Sequence, residues 1–177
     1  ERGEAEKMER KTVSGIITIL LLTGTLTLAL NIQSVKASGT IYIKADGSIS
    51  TKSAPISSSY NVTYTFTAHI YDSIVVQRKN IVVDGDSHTL YGPGAGSFTN
   101  GFYLSWMSNV TIKGVNIKWF RNGIVLEMSS YNNISGNNVE NNWDGIVLDN
   151  SSNNNITKNN IKTNSEYGIY LYKSSNN

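Results

Sequence analysis

The sequence predicts an all-β solenoid with three short strands in each coil, on three observations. Four segments begin alike: NGFYL at Asn100, NGIVL at Asn122, DGIVL at Asp144 and YGIYL at Tyr167, with glycines spaced 22, 22 and 23 residues apart. The second half of each unit recurs as well: SNVTIKGVNI from Ser108, SYNNISGNNV from Ser130 and SNNNITKNNI from Ser152. A fixed short period of this kind is the mark of a solenoid. Finally, 19 of the 22 Asn residues lie between Asn100 and Asn177. Asn is poor in helix interiors and favours turns, so helical repeats are excluded.

The content of one unit selects the solenoid. Each has three brief apolar pieces, such as Ile146-Val147-Leu148, Ile156 and Ile161, separated by Asn, Ser and Gly. No piece is long enough for a helix pair, and one leucine per unit is too few for a leucine-rich repeat. Short strands joined by Asn-rich bends describe a right-handed parallel β-helix, its coils stacked about 4.8 Å apart.

Length, charge and Cys content bound the rest. The chain has 177 residues, 15 basic and 13 acidic side chains and no Cys. One domain is expected, with neither disulfides nor thiolate metal sites. Its basic residues form no block, so no nucleic-acid partner is expected.

Residues 1–37 read as a targeting segment with an upstream extension. Arg10 and Lys11 precede an apolar run from Ser14 to Leu30, followed by Val35-Lys36-Ala37. Charge, apolar core and a small-residue end form a secretory signal, which directs the chain outside the cell or to its surface. The alternative is an uncleaved anchor, the one membrane contact expected. Past Ala37 the chain keeps 10 basic and 9 acidic residues and is nearly neutral.

Residues 38–72 are expected to cap the solenoid. Tyr64, Phe66, Ala68 and Ile70 alternate with Thr63, Thr65, Thr67 and His69, as in a half-buried strand. Strands near Ile41 and Tyr64 would cover an end that otherwise exposes core and backbone. Coils follow over 73–177. Asn80 stands in an imperfect first coil where Asn109 stands later. The chain stops inside a unit at Ser174-Ser175-Asn176-Asn177, which suggests a piece of a longer protein.

Alternation fixes the faces. Phe102, Leu104, Ile124, Leu126, Ile146, Leu148, Ile169 and Leu171 should point inward, with Val125 and Glu127 outward. The glycine before each such strand is expected to permit an unusual conformation or a close approach. Asn116, Asn138 and Asn160 share an offset and are expected to stack as an amide ladder, with Ser108, Ser130, Ser152 and Ser175 as a second ladder.

The run IYIKADGSI, then SIVVQRKNIVVDGDSHTL, then the cycles of GI-x-L and S-x-x-N-x-I resemble extracellular parallel β-helix proteins of prokaryotes, especially archaeal surface proteins. Such repeats are grouped with the NosD-type periplasmic domain and with carbohydrate-binding and sugar-hydrolase domains. The resemblance covers about residues 40–177. It implies the fold and leaves activity open, because the matching residues are structural.

Candidate sites are few. Glu127 and Asp149 share an outward offset, and stacked carboxylates about 5 Å apart match a retaining glycosidase pair. They could also bind Ca²⁺ through oxygen ligands, but surface acids facing solvent are the default reading. The Asn-Thr-Asp, Asp-Asp, Gly-His-Gly and Arg-x-Lys strings of pectin-active β-helices are absent. Asp84-Gly85-Asp86 reads as a turn, and His69 and His88 lie on different segments. Copper, which the NosD likeness brings to mind, lacks Cys here, and Met107 and Met128 fall at different offsets. No cofactor is expected.

The outward aromatics Tyr103, Trp106, Tyr170 and Tyr172 are the better lead, since rings and amides suit sugars, although β-propensity alone also places them in strands. Five N-x-S/T strings occur, at Asn61, Asn109, Asn133, Asn150 and Asn155. The expected role is a surface or secreted module, without catalysis in these coils, that binds a polysaccharide or an envelope glycan or serves the envelope structurally. The alternatives are a polysaccharide lyase or glycosidase with catalytic coils beyond Asn177, and a NosD-like copper-delivery accessory.

Overall fold

The computed structural model describes residues 2–4, which are helical, and residues 39–177, which form the solenoid. The targeting segment expected around Ser14–Ala37 lies outside the described residues. Among those that are described, no helix is long and apolar enough to cross a membrane.

The chain enters through β1 (Thr40–Ile43) and a hairpin of β2 (Ile56–Ser59) and β3 (Thr63–Phe66). Coils then follow in threes: β4 (Ser73–Val76), β5 (Ile81–Asp84) and β6 (Thr89–Tyr91); β7 (Asn100–Ser105), β8 (Val110–Lys113) and β9 (Asn116–Lys118); β10 (Asn122–Glu127), β11 (Asn133–Ser135) and β12 (Asn138–Glu140); β13 (Asp144–Asp149), β14 (Asn155–Thr157) and β15 (Asn160–Lys162); and finally β16 (Ile169–Tyr172). They stack into three sheets: β1-β4-β7-β10-β13-β16, β14-β11-β8-β5-β3-β2 and β15-β12-β9-β6. All strand pairs in these sheets are parallel except β2 with β3. The parallel β-helix expected from the repeat is therefore the architecture.

The inward register holds. Phe102, Leu104, Ile124, Leu126, Ile146 and Leu148 are fully buried. Ile169 and Leu171 pair with Ile146 and Leu148 as expected, but on the last strand they are 45% and 50% exposed. Glycine before the strand serves close approach. A Cβ on Gly123 would sit 2.6 Å from Gly145 O and 2.7 Å from Val139 Cγ1.

β1 and the β2–β3 hairpin lie at the N-terminal end of their sheets. β1 runs parallel to β4 and is the first rung of its sheet, and β3 is a rung beside β5. At this end the edges are β1 in the first sheet, β2, the one antiparallel strand, in the second, and β6 in the third. The expected alternation through Ile70 breaks at Phe66. Thr67 N–H turns to Pro55 O, Ala68 is exposed, and Ile70 returns inside to bridge Leu90.

The expected outer ladders form in the later coils. Asn160 Nδ2 donates to Asn138 Oδ1 at 2.7 Å, but Asn116 Nδ2 donates to Ser87 O. Ser152 N–H donates to Ser130 Oγ at 3.1 Å and Ser175 N–H to Ser152 Oγ at 3.0 Å, so Ser130, Ser152 and Ser175 stack as the second ladder on the outside. The buried ladders lie one residue earlier: Ser129–Ser151–Ser174, Asn132–Asn154–Asn177, Asn137–Asn159 and Asn142–Asn164.

The reason lies in the backbone. Met128, Tyr131, Gly136 and Asn141 all have φ between 46° and 66°. This left-handed residue bends the chain at each corner of a coil, and the next side chain turns inward. Non-Gly residues pay about 1–2 kcal/mol for that conformation. The inward amide offsets the cost by saturating the bend. Asn137 Oδ1 accepts Val115 N–H at 3.1 Å, and its Nδ2 donates to Ile112 O at 2.9 Å. Among the described residues no buried side-chain polar atom lacks a partner.

Candidate functional site

The residues singled out in the sequence lie on the outer face of the longest sheet. Tyr103, Val125, Val147 and Tyr170 form one column, and Ser105, Glu127, Asp149 and Tyr172 the next. The structure thus brings Glu127 and Asp149 onto neighbouring rungs. Neither carboxylate is idle: Glu127 accepts the Tyr103 hydroxyl and Asp149 accepts Asn150 Nδ2 at 2.7 Å. The bond to Glu127, with burial second, holds the Tyr103 phenol above its ordinary range, so it stays a donor. Tyr170 is 39% exposed and leans on Tyr167, their ring centroids 5.2 Å apart. Lys173 Nζ lies over the Tyr172 ring. Trp106 stands apart at the strand end in a left-handed bend, largely in solvent.

A second group went unnoticed in the sequence. The connection from β6 to β7 uses residues 92–99, where the next two coils use only 119–121 and 141–143. Loops that depart from a repeat commonly carry function. This one is pinned by Gly94 N–H to Trp119 O, Ser97 Oγ to Gly94 O and Arg121 N–H to Thr99 O. It presents Phe98, which is 93% exposed.

Beneath Phe98 the corner residues stack along the axis. Arg121 Cζ lies 6.0 Å from the Phe98 ring centroid and 4.8 Å from that of Trp143. Rings on both sides favour the cation by about 0.5–1 kcal/mol each. Trp143 Nε1 in turn donates to Glu166 Oε2 at 2.6 Å. Among the described residues no acceptor takes a hydrogen bond or ion pair from the Arg121 guanidinium. Its planar fork of N–H donors is clamped by rings and left unspent.

Asp144 completes the corner. Its Oδ1 accepts Tyr167 N–H at 3.1 Å. Burial first, and then the neighbouring Glu166 charge, raise its carboxyl above the ordinary range, against the opposing pull of Tyr167 N–H and Arg121. A raised folded pKa means the ionised form costs folding free energy. That cost is absent below the unfolded pKa and appears as pH rises through the folded one. Asp144→Asn keeps the acceptor for Tyr167. It is expected to raise the thermal midpoint near neutral pH and to leave it unchanged below the carboxylate range; equal shifts at both would rule out the charge as the cause.

The histidines meet although their segments are distant in sequence. The rings of His69 and His88 are 5.7 Å apart, and His69 also abuts Tyr91. His69 Nδ1 accepts Thr89 N–H at 3.0 Å, so this lone pair is spent. Holding a metal through Nε2 would require a proton on Nδ1, in conflict with that bond. No group of three or more His, Asp or Glu able to hold a metal occurs among the described residues. Tyr71, Tyr91 and Trp119 stack on successive rungs, centroids 5.1 and 5.2 Å apart, with their faces turned to one another.

No curated protein and no solved structure matches the chain. The family model for the right handed beta helix region matches residues 39–177, and the sheet order, parallel register and three-strand coils agree with it. The chain belongs to the right-handed β-helix family.

Proposed function

We propose that this β-helix is a non-catalytic module of an exported protein that holds a polysaccharide or envelope glycan at the corner formed by Phe98, Arg121, Trp143, Asp144 and Glu166. The observation that carries the reading is the Arg121 fork, clamped between two rings with its donors free and two carboxylates beside it. Vicinal hydroxyls both donate and accept, and their ring C–H faces pack on aromatics such as Phe98. One guanidinium against two carboxylates favours a neutral sugar over an acidic one. Tyr167, and Tyr170 in the column of Tyr103, extend the surface from the corner onto the outer face of the sheet.

The test is retention of the full chain on insoluble neutral polysaccharides. Arg121→Ala and Phe98→Ala are expected to weaken retention about tenfold, or roughly 1.4 kcal/mol, with little change in thermal stability. Unchanged retention in both variants would remove the corner from the account.

A specific observation also favours an enzyme as second reading. A carboxyl raised by burial beside a second carboxylate is the arrangement of a general acid and its partner. On that reading Asp144→Asn abolishes turnover of a polysaccharide while retention persists. Copper delivery draws no support from His69, whose Nδ1 is engaged.

A further inference from the structure

Transfer of an N-linked glycan needs an accessible Asn side chain with a free amide nitrogen and a hydroxyl residue two positions on. Five positions meet the sequence rule, and the structure separates them. Asn109 Nδ2 donates to Asn80 Oδ1 at 2.9 Å, Asn150 Nδ2 to Asp149 Oδ1 at 2.7 Å, and Asn155 Nδ2 to Asn133 Oδ1 at 3.2 Å. Asn133 is half-buried within its sheet, flanked by Thr111 and Asn155. A glycan would displace a contact between coils at Asn109 and Asn155 and the Asp149 contact at Asn150, and at Asn133 it would have to enter the half-buried sheet.

Asn61 differs in its amide nitrogen and in its place outside the stacked coils. It is exposed in the turn of the β2–β3 hairpin, on the one antiparallel strand pair, with φ 54°. Its backbone is fixed, since Asn61 O accepts Arg78 Nε at 3.0 Å and the Tyr64 hydroxyl at 3.3 Å. Its side chain rests on Gly47, where an added Cβ would fall 2.6 Å from Asn61 Cβ. Asn61 Oδ1 faces Ser58 Oγ at 3.4 Å, while Nδ2 donates to no described residue. Either side stand Tyr60, 97% exposed, and Val62, 47% exposed, an apolar tip that the described chain does not cover. A first sugar ring can lie with its C–H face on Tyr60.

We infer that Asn61 is the acceptor of an N-linked glycan, with Thr63 supplying the required hydroxyl. In cells the inference rests on export of the chain. A lipid-linked oligosaccharide is the donor. A bond forms from Asn61 Nδ2 to the sugar C1, the C1–O bond to the lipid phosphate breaks, one Nδ2 proton passes to the transferase, and the lipid phosphate leaves.

Two arms test this on the full chain. In the first, the chain is secreted from a yeast that glycosylates its exports, and peptide mass spectrometry after enzymatic deglycosylation locates each converted Asn. The expected result is conversion at Asn61, lost in both Asn61→Gln and Thr63→Ala. Folded, exported protein without a glycan on Asn61, or with most of it on another of the five, overturns the inference. In the second arm, purified folded chain meets an oligosaccharyltransferase and a lipid-linked oligosaccharide in vitro, which needs no export. Transfer to Asn61 there upholds the site even if the cells retain the chain, in which case the export reading alone fails. No transfer there overturns the site.

Discussion

Ile146→Asn is expected to lower stability by about 4 kcal/mol, while Val147→Asn lowers it by less than about 1 kcal/mol. The two residues are neighbours on β13 with opposite directions. Ile146 is fully buried between Ile124 and Ile169 on the adjacent rungs. An amide there loses an apolar side chain and buries polar atoms with no reserved partner. Val147 lies on the outer face between Val125 and Tyr170, where an amide can meet water. Urea unfolding midpoints measure both. Because each coil rests only on its neighbours, damage at this next-to-last rung also loosens β10 and β16 on either side. Equal losses would mean that the register is wrong.

A polar change is expected to do comparable harm. Asn137→Ala is expected to cost about 3 kcal/mol, against about 0.5 kcal/mol for Asn138→Ala. Asn137 is 2% exposed, and its removal takes the acceptor from Val115 N–H and a donor from Ile112 O inside the solenoid. It also strips Asn159 Oδ1 of one of its donors. Asn138 faces outward and loses only the ladder bond from Asn160. The same unfolding experiment separates them. Indifference at Asn137 would show that water enters the bend and replaces the amide.

These two residues also show how far the sequence could be read. The apolar register was legible because Ile, Val and Leu recur at period 2 inside a 22-residue unit. The inward amides were partly legible too: alternation back from Val139 puts Asn138 outside and Asn137 inside. What concealed them is a change of chemistry between coils. The column holding Asn137 and Asn159 begins with Val115, just as Asn132 follows Val110 and Asn142 follows Phe120. The column of Asn116, Asn138 and Asn160 is uniform in the sequence and drew attention, yet its first member bonds elsewhere.

The corner was hidden for a different reason. Phe98 sits in the long 92–99 connection, and Arg121, Trp143 and Glu166 stand two residues before Gly123, Gly145 and Gly168 but share no chemistry. An arginine, a tryptophan and a glutamate do not look like a repeat. They become a unit only when successive coils set them one above the other. The one usable signal was loop length, since 92–99 breaks the short connection that the next two coils keep.

The central functional claim is that this corner, not the Trp106 margin of the long sheet, meets the ligand. Replacing Trp106 and Trp119 by Phe leaves Trp143 as the sole tryptophan, packed against Arg121 and bonded to Glu166. Its emission is to be followed while soluble neutral oligosaccharides (cello-, manno- and xylohexaose) are added. The account predicts a saturable change with at least one of them that Arg121→Ala removes. A silent Trp143, whether or not a variant keeping only Trp106 responds, would contradict it.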